Sequence, residues 1–218
     1  MSRTARTHRN LGLVAAGILS AAVPLTAVAQ LAPAHAAPAT RTRHVVVRPV
    51  KANGHAASGY SVYRERGSLD CGDQSPSSVS AGVDTCYPSA AYAPSCWKAT
   101  MHTALCLRDA DDNELVRMRY AGRFVTHHVL PAAKRMPQSL TLADGETCTI
   151  RVGGAWGEAP GHPRWVGFYS CTHGSLYGAP DSGGIDRSQP VWHVHELIGD
   201  DSIVTRHVTT ATYVGTAG

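Results

Sequence analysis

The stretch from Cys148 to Cys171, CTIRVGGAWGEAPGHPRWVGFYSC, constrains the fold more than any other part of this chain. Two runs of alternating character flank a loop rich in Gly, Pro and Trp, which is the pattern of two antiparallel strands. Placing Cys148 directly opposite Cys171 sets the register. Ile150 then faces Tyr169 and Val152 faces Gly167. These residues and Trp165 share one side, because strand side chains alternate with period two.

The same logic extends to the other cysteines. Cys71, Cys86, Cys96, Cys106, Cys148 and Cys171 are even in number and all lie beyond residue 36. Six cysteines allow fifteen pairings. Neighbour pairing, 71–86, 96–106 and 148–171, is the expectation, and each loop of that size would contribute about 3 kcal/mol by restricting the unfolded chain. No C-x-x-C pair occurs, which argues against a zinc–thiolate site.

A disulfide framework implies an oxidising compartment, and the N-terminus agrees. Arg3, Arg6 and Arg9 precede an apolar run, Leu11 to Ala22, which Pro24 ends; small-x-small sites follow at Ala27–Ala29 and Ala34–Ala36. This is the layout of a secretory signal peptide over residues 1–36, with an apolar run too short for a membrane span. The formal charge of +4 partly reflects that segment, which holds three Arg and no acidic residue. What remains carries 17 basic and 16 acidic residues, a balance that does not point to nucleic acid.

Residues 37–59 are rich in Ala, Pro, Arg and Gly with no acidic residue, and read as a flexible basic arm. Within it HVVVRPV (residues 44–50) could form a strand, which Pro49 would confine to an edge or a strand end. Residues 60–96 read as loops held by disulfides. From Lys98 onward short β-branched and aromatic runs recur: 98–108, 114–120, 124–130, 139–142, 148–152, 165–171, 191–197 and 203–214. No helical periodicity persists, so the expected fold is mainly β: a small antiparallel barrel or sandwich stapled by disulfides, over residues 60–218, with a mobile N-terminal arm.

Three groups of residues could carry chemistry. His193 and His195 are two apart on one strand and share a face, as two zinc ligands would. A four-residue turn at Gly199–Ser202 would pair 195 with 206 and 193 with 208, turning His207 away; a one-residue bulge would reverse that. The segment Pro180-Asp181-Ser182-Gly183-Gly184 resembles the Asp-Ser-Gly-Gly segment around the nucleophile of chymotrypsin-like proteases, with His102 earlier in the chain. Pro180 stands where that family has Gly, and no middle Asp stands out. Asp109-x-Asp111-x-Asn113 begins like a calcium loop but lacks its Gly and distal Glu, so a hairpin turn explains it. Finally, Trp156, His162, Trp165 and Tyr177 form a candidate binding surface, since such side chains anchor protein partners or stack on sugars.

The segments Cys148–Trp156, Trp165–Cys171, Gly184–Trp192 and Thr212–Ala217 together resemble a group of uncharacterised exported actinobacterial proteins. The resemblance implies a C-terminal module from about Leu140 and no particular activity. The expected function is a secreted, extracellular, non-catalytic binding module without a cofactor. It would be a monomer whose partner is an extracellular protein or a cell-envelope glycan, with neither nucleic acid nor a membrane span. The alternative is a small secreted hydrolase, zinc-dependent through His193 and His195 or serine-type through Ser182.

Overall fold

Strands joined by short turns pair with their chain neighbours, and the number of strands in such a meander decides how the ring closes. A computed structural model describes residues 40–87, 93–125, 128–151, 156–199 and 202–218, and these form two closed rings. The first comprises β2 (Ser61–Gln74), β3 (Val83–Tyr87), β4 (Ala93–Lys98), β5 (Thr103–Leu107) and β6 (Glu114–Gly122). Five is odd, so first and last strands run the same way, and β2 closes on β6 in parallel. The second comprises β7 (Ser139–Leu142), β8 (Thr147–Ile150), β9 (Val166–Cys171), β10 (Gly174–Gly178), β12 (Trp192–Ile198) and β13 (Ser202–Ala217). Six is even, and this ring is antiparallel throughout. The two-residue strand β11 (Ile185–Asp186) borders β12.

The expected signal segment, residues 1–36, lies outside the described residues, as do Val152, Asp200 and Asp201. The basic arm is corrected from Arg43 onward. Arg43–Lys51 is a strand, β1, paired in parallel with the second half of β13, and Val50 is fully buried. The cause is the length of β13. Its partner β12 stops at the Trp192–Val208 pair, leaving the 16-residue strand with an open edge that β1 covers. The Thr42 hydroxyl pins the entry by donating to the Val208 carbonyl (2.7 Å) and accepting from the Trp192 amide (2.8 Å). Pro49 sits in the register shift between Val47 and Val50 on this edge strand, where its missing N–H costs no ladder bond.

Within residues 60–96, which were expected to be loops, the described residues include strands β2, β3 and most of β4. Their composition is polar because β2 is largely solvent-exposed, and ring closure supplies the order that local propensity lacks. The expected strand at 124–130 is not formed by its described residues.

The disulfides pair as neighbour pairing requires. Cys71–Cys86, Cys96–Cys106 and Cys148–Cys171 each join residues directly opposite on antiparallel strands, with Cα atoms 4.3, 4.0 and 4.0 Å apart. Two of them fill the first barrel, packed with Leu69, Val116 and Met118. The outward Trp97, Leu105, Leu107 and Leu115 pack on Val50 of β1 and Val214 of β13. Strand β5 is therefore buried on both sides. The second barrel encloses Leu140, Leu142, Ile150, Tyr169, Leu176, Val194 and Val208. Gln138, fully buried, bonds across to the first barrel through Ser95 Oγ (2.8 Å) and accepts from the Ile150 amide.

Replacing both Cys148 and Cys171 with Ser should cost about 3 kcal/mol, since their loop spans 23 residues. Urea unfolding of the oxidised protein measures it; a loss under about 1 kcal/mol would mean the strand pair holds its register without the bond.

Candidate binding face

Strand β12 divides its side chains between the barrel interior and the outside. Trp192, Val194 and Glu196 are buried, while His193, His195 and Leu197 are half-buried on the outer side. The pairing with β13 corrects the expected turn. Ile198 pairs with Ser202, so the connection is one residue shorter, and His193 lies opposite His207 and His195 opposite Thr205. His207 thus shares the outer side with both histidines. Its ring meets that of His193 edge-on at 4.7 Å, and Thr205 Oγ1 lies 3.3 Å from His195 Nδ1.

On the opposite flank Tyr177 of β10 pairs with His195 and with Gly167 of β9. A register shift at Phe168, with Leu176 opposite Tyr169 and Tyr177 opposite Gly167, re-aims the chain. Trp165 was expected to share a side with Tyr169. Instead Tyr169 points into the core, and Trp165 packs on the outer His195 at 4.8 Å. The Ile150–Tyr169 and Cys148–Cys171 pairs hold as expected.

The loop between β8 and β9 completes the surface. Its described part turns tightly, with the His162 amide bonded to the Ala159 carbonyl and the Trp165 amide to the His162 carbonyl, both at 2.9 Å. This folds the His162 imidazole flat onto Trp165, 3.8 Å between centroids. Trp156 lies on Gly167, where a Cβ would fall 2.1 Å from the indole; only glycine admits that approach. Tyr177 meets Trp156 edge-on at 5.9 Å, and the Arg151 guanidinium lies 4.5 Å above the indole. The four residues singled out from sequence, Trp156, His162, Trp165 and Tyr177, therefore form one band through His195. Burial, then the charge of His162, hold the His195 imidazole below the usual range, against the pull of Asp186.

Among the described residues, three potential ligand atoms come within 4.8 Å of one another at Cys86–Cys96–Cys106 and at Glu146–Cys171–Glu196. Every cysteine there is in a disulfide and offers no thiolate, and His193, His195 and His207 do not form such a trio. Ser182 sits in a 3-10 turn, Pro180–Ser182, where its hydroxyl donates to the Ala179 carbonyl and accepts from the Gly184 amide. Asp109 accepts from the Asp111 amide within the β5–β6 turn.

Sequence reading missed one group. Glu196, fully buried, pairs with Arg206 (Nε to Oε2, 3.0 Å), which also contacts Asp144 and lies 3.6 Å from Glu146. Burial, then the neighbouring Glu146 carboxylate, push Glu196 up to about 7, against Arg206. The signal was available: in Trp-His-Val-His-Glu a carboxylate occupies the inward parity of Trp192 and Val194.

The chain matches no known protein-family model, no curated protein sequence and no solved structure.

The raised Glu196 carboxyl has a signed consequence. Its contribution to stability is fully present below about 4.5, its unfolded value, and is lost as pH rises through about 7. The melting temperature should therefore fall less between pH 5 and pH 8 in Glu196→Gln than in the native protein. Parallel curves for the two would show that Glu196 titrates normally.

Proposed function

We propose that the protein is a secreted, non-catalytic binding module whose contact surface is the band Trp156–Tyr177–His195–Trp165–His162. The observation that carries the reading is the convergence of these side chains, from one loop and two strands, onto one outer side of the second barrel. Aromatic side chains of this kind dominate binding energy when a partner covers them. The Cys148–Cys171 disulfide at the base of the loop supports the band by restricting the strands that present it.

The geometry favours a protein over a glycan as partner. Stacking on a sugar needs an open indole face. Trp165 is covered by His162 on one contact and His195 on another, and Trp156 by Gly167 and Arg151. His162 is exposed, Trp156, Trp165 and His195 are half-buried, and Tyr177 is buried behind them. These suit the polar and aromatic mixture of a protein interface.

Two features support export. Three disulfides are formed with no free cysteine among the described residues, and no helix there is long and apolar enough to cross a membrane. Extracellular material should begin at Gln30 or Ala37, which N-terminal sequencing reads directly; a retained Met1 would overturn secretion by this signal.

The contact surface is tested by cross-linking native protein and the His162→Ala/Trp165→Ala variant to proteins of the producing culture's medium. A partner captured by the native protein should bind the variant about tenfold more weakly. Equal affinity would remove the band from the interface. A fluorophosphonate adduct on Ser182 would overturn the non-catalytic reading.

A further inference from the structure

Away from that band, the first barrel carries an arrangement with its own chemistry. The outer side of β5 and β6 is divided along its length. At one end Leu105, Leu107 and Leu115 are buried under β1 and β13. At the other end the same alternation presents Arg117 and Arg119, with Thr103 directly opposite Arg119. The parallel closure adds two more arginines. Arg64 of β2 is directly opposite Arg117, and Arg66 lies in the register shift between Arg64 and Ser68.

These four arginines line one groove of ≈ 950 Å³. Among the described residues, no carboxylate lies within 4.0 Å of any of their nitrogens. Glu65 lies in the same groove but is drawn to Arg108. Like charges directly opposite on neighbouring strands oppose folding, so the Arg64–Arg117 pair works against the sheet that holds it. The backbone is also specialised here. Gly67 has φ of +125°, a conformation side chains rarely adopt, and a Cβ there would meet Met118 at 3.3 Å. The groove wall also includes Ser68, Thr100 and Thr103, the last two joined hydroxyl to hydroxyl at 2.8 Å.

We propose that this groove binds a linear polymer bearing tetrahedral oxyanions, phosphate or sulfate, on successive units. Guanidinium groups match such oxyanions in paired, charge-assisted hydrogen bonds. The spacing selects a polymer over a single ion. Arg117 and Arg119 lie two residues apart on one strand, roughly 6.6 Å, and Arg64 faces Arg117 across roughly 4.8 Å. The four charges thus form a short two-row track.

The test titrates the full secreted chain with inorganic phosphate, long-chain polyphosphate, dextran sulfate and poly-glutamate. The two oxyanion polymers should bind, with the tighter one identifying the source chemistry, while phosphate and poly-glutamate bind at least about tenfold more weakly. Affinity should fall with salt, and Arg117→Gln/Arg119→Gln should weaken polymer binding about tenfold or more while flattening that salt dependence. Arg64→Gln provides an independent variant, and melting temperatures confirm that each variant is folded. Arg41→Gln/Arg43→Gln, equal in charge change but near Trp192, should bind as the native protein does. Equal losses in the two double variants would reduce the effect to general charge. Absence of polymer binding near 100 mM salt, or phosphate binding as tightly as the polymers, would overturn the proposal.

Discussion

The length of β13 is the constraint on which the rest of the architecture depends. Its first half completes the second barrel against β12, and its second half continues beyond that strand. A strand that outruns its partner leaves unpaired N–H and C=O groups, and these need a new neighbour. β1 takes that edge in parallel, and Val214 also bonds the segment after β2, its amide donating to the Ser77 carbonyl (3.2 Å) and its carbonyl accepting from the Val79 amide (2.8 Å). Val214 then packs among the outward residues of the first barrel. One strand thereby links the hydrophobic packing of both barrels.

The same strand pairing decides the chemistry on either side of β12. Because each position alternates, setting Ile198 opposite Ser202 settles every later neighbour. Outward, it brings His207 beside His193 and leaves His195 free to meet Trp165 and Tyr177. Inward, it places Arg206 near Glu196, so a buried carboxylate has a counter-charge and two acidic neighbours. The apolar and polar surfaces of the first barrel follow the same rule. Alternation along β6 carries Leu115 under the neighbouring strands and Arg117 and Arg119 into an open groove.

Local sequence carried the parts of this that depend on short range. The Cys148–Cys171 register, the three disulfides and strands such as 139–142 follow from alternation and cysteine spacing. The four aromatic-band residues were legible as a group because they cluster around one loop. Where the reading failed, distant partners intervened. β2 and β3 looked like loops because their polar residues are ordered by ring closure, and β1 looked like an arm because its partner lies more than 150 residues away. The connection after Ile198 differed by one residue, enough to exchange Arg206 for His207 on the outer side.

The sequence by itself determined a disulfide-linked β protein and the make-up of its aromatic loop, since cysteine count, strand alternation and turn residues act between near neighbours. Only the tertiary structure decided that there are two barrels, that Trp165 leaves the side of Tyr169, and that four arginines from two strands line one groove. Those outcomes depend on ring closure, a bulge and parallel pairing. Ring closure and parallel pairing are set by contacts between segments far apart in the chain, and the bulge by how two neighbouring strands, β9 and β10, shift register; no alternation pattern records any of these energies.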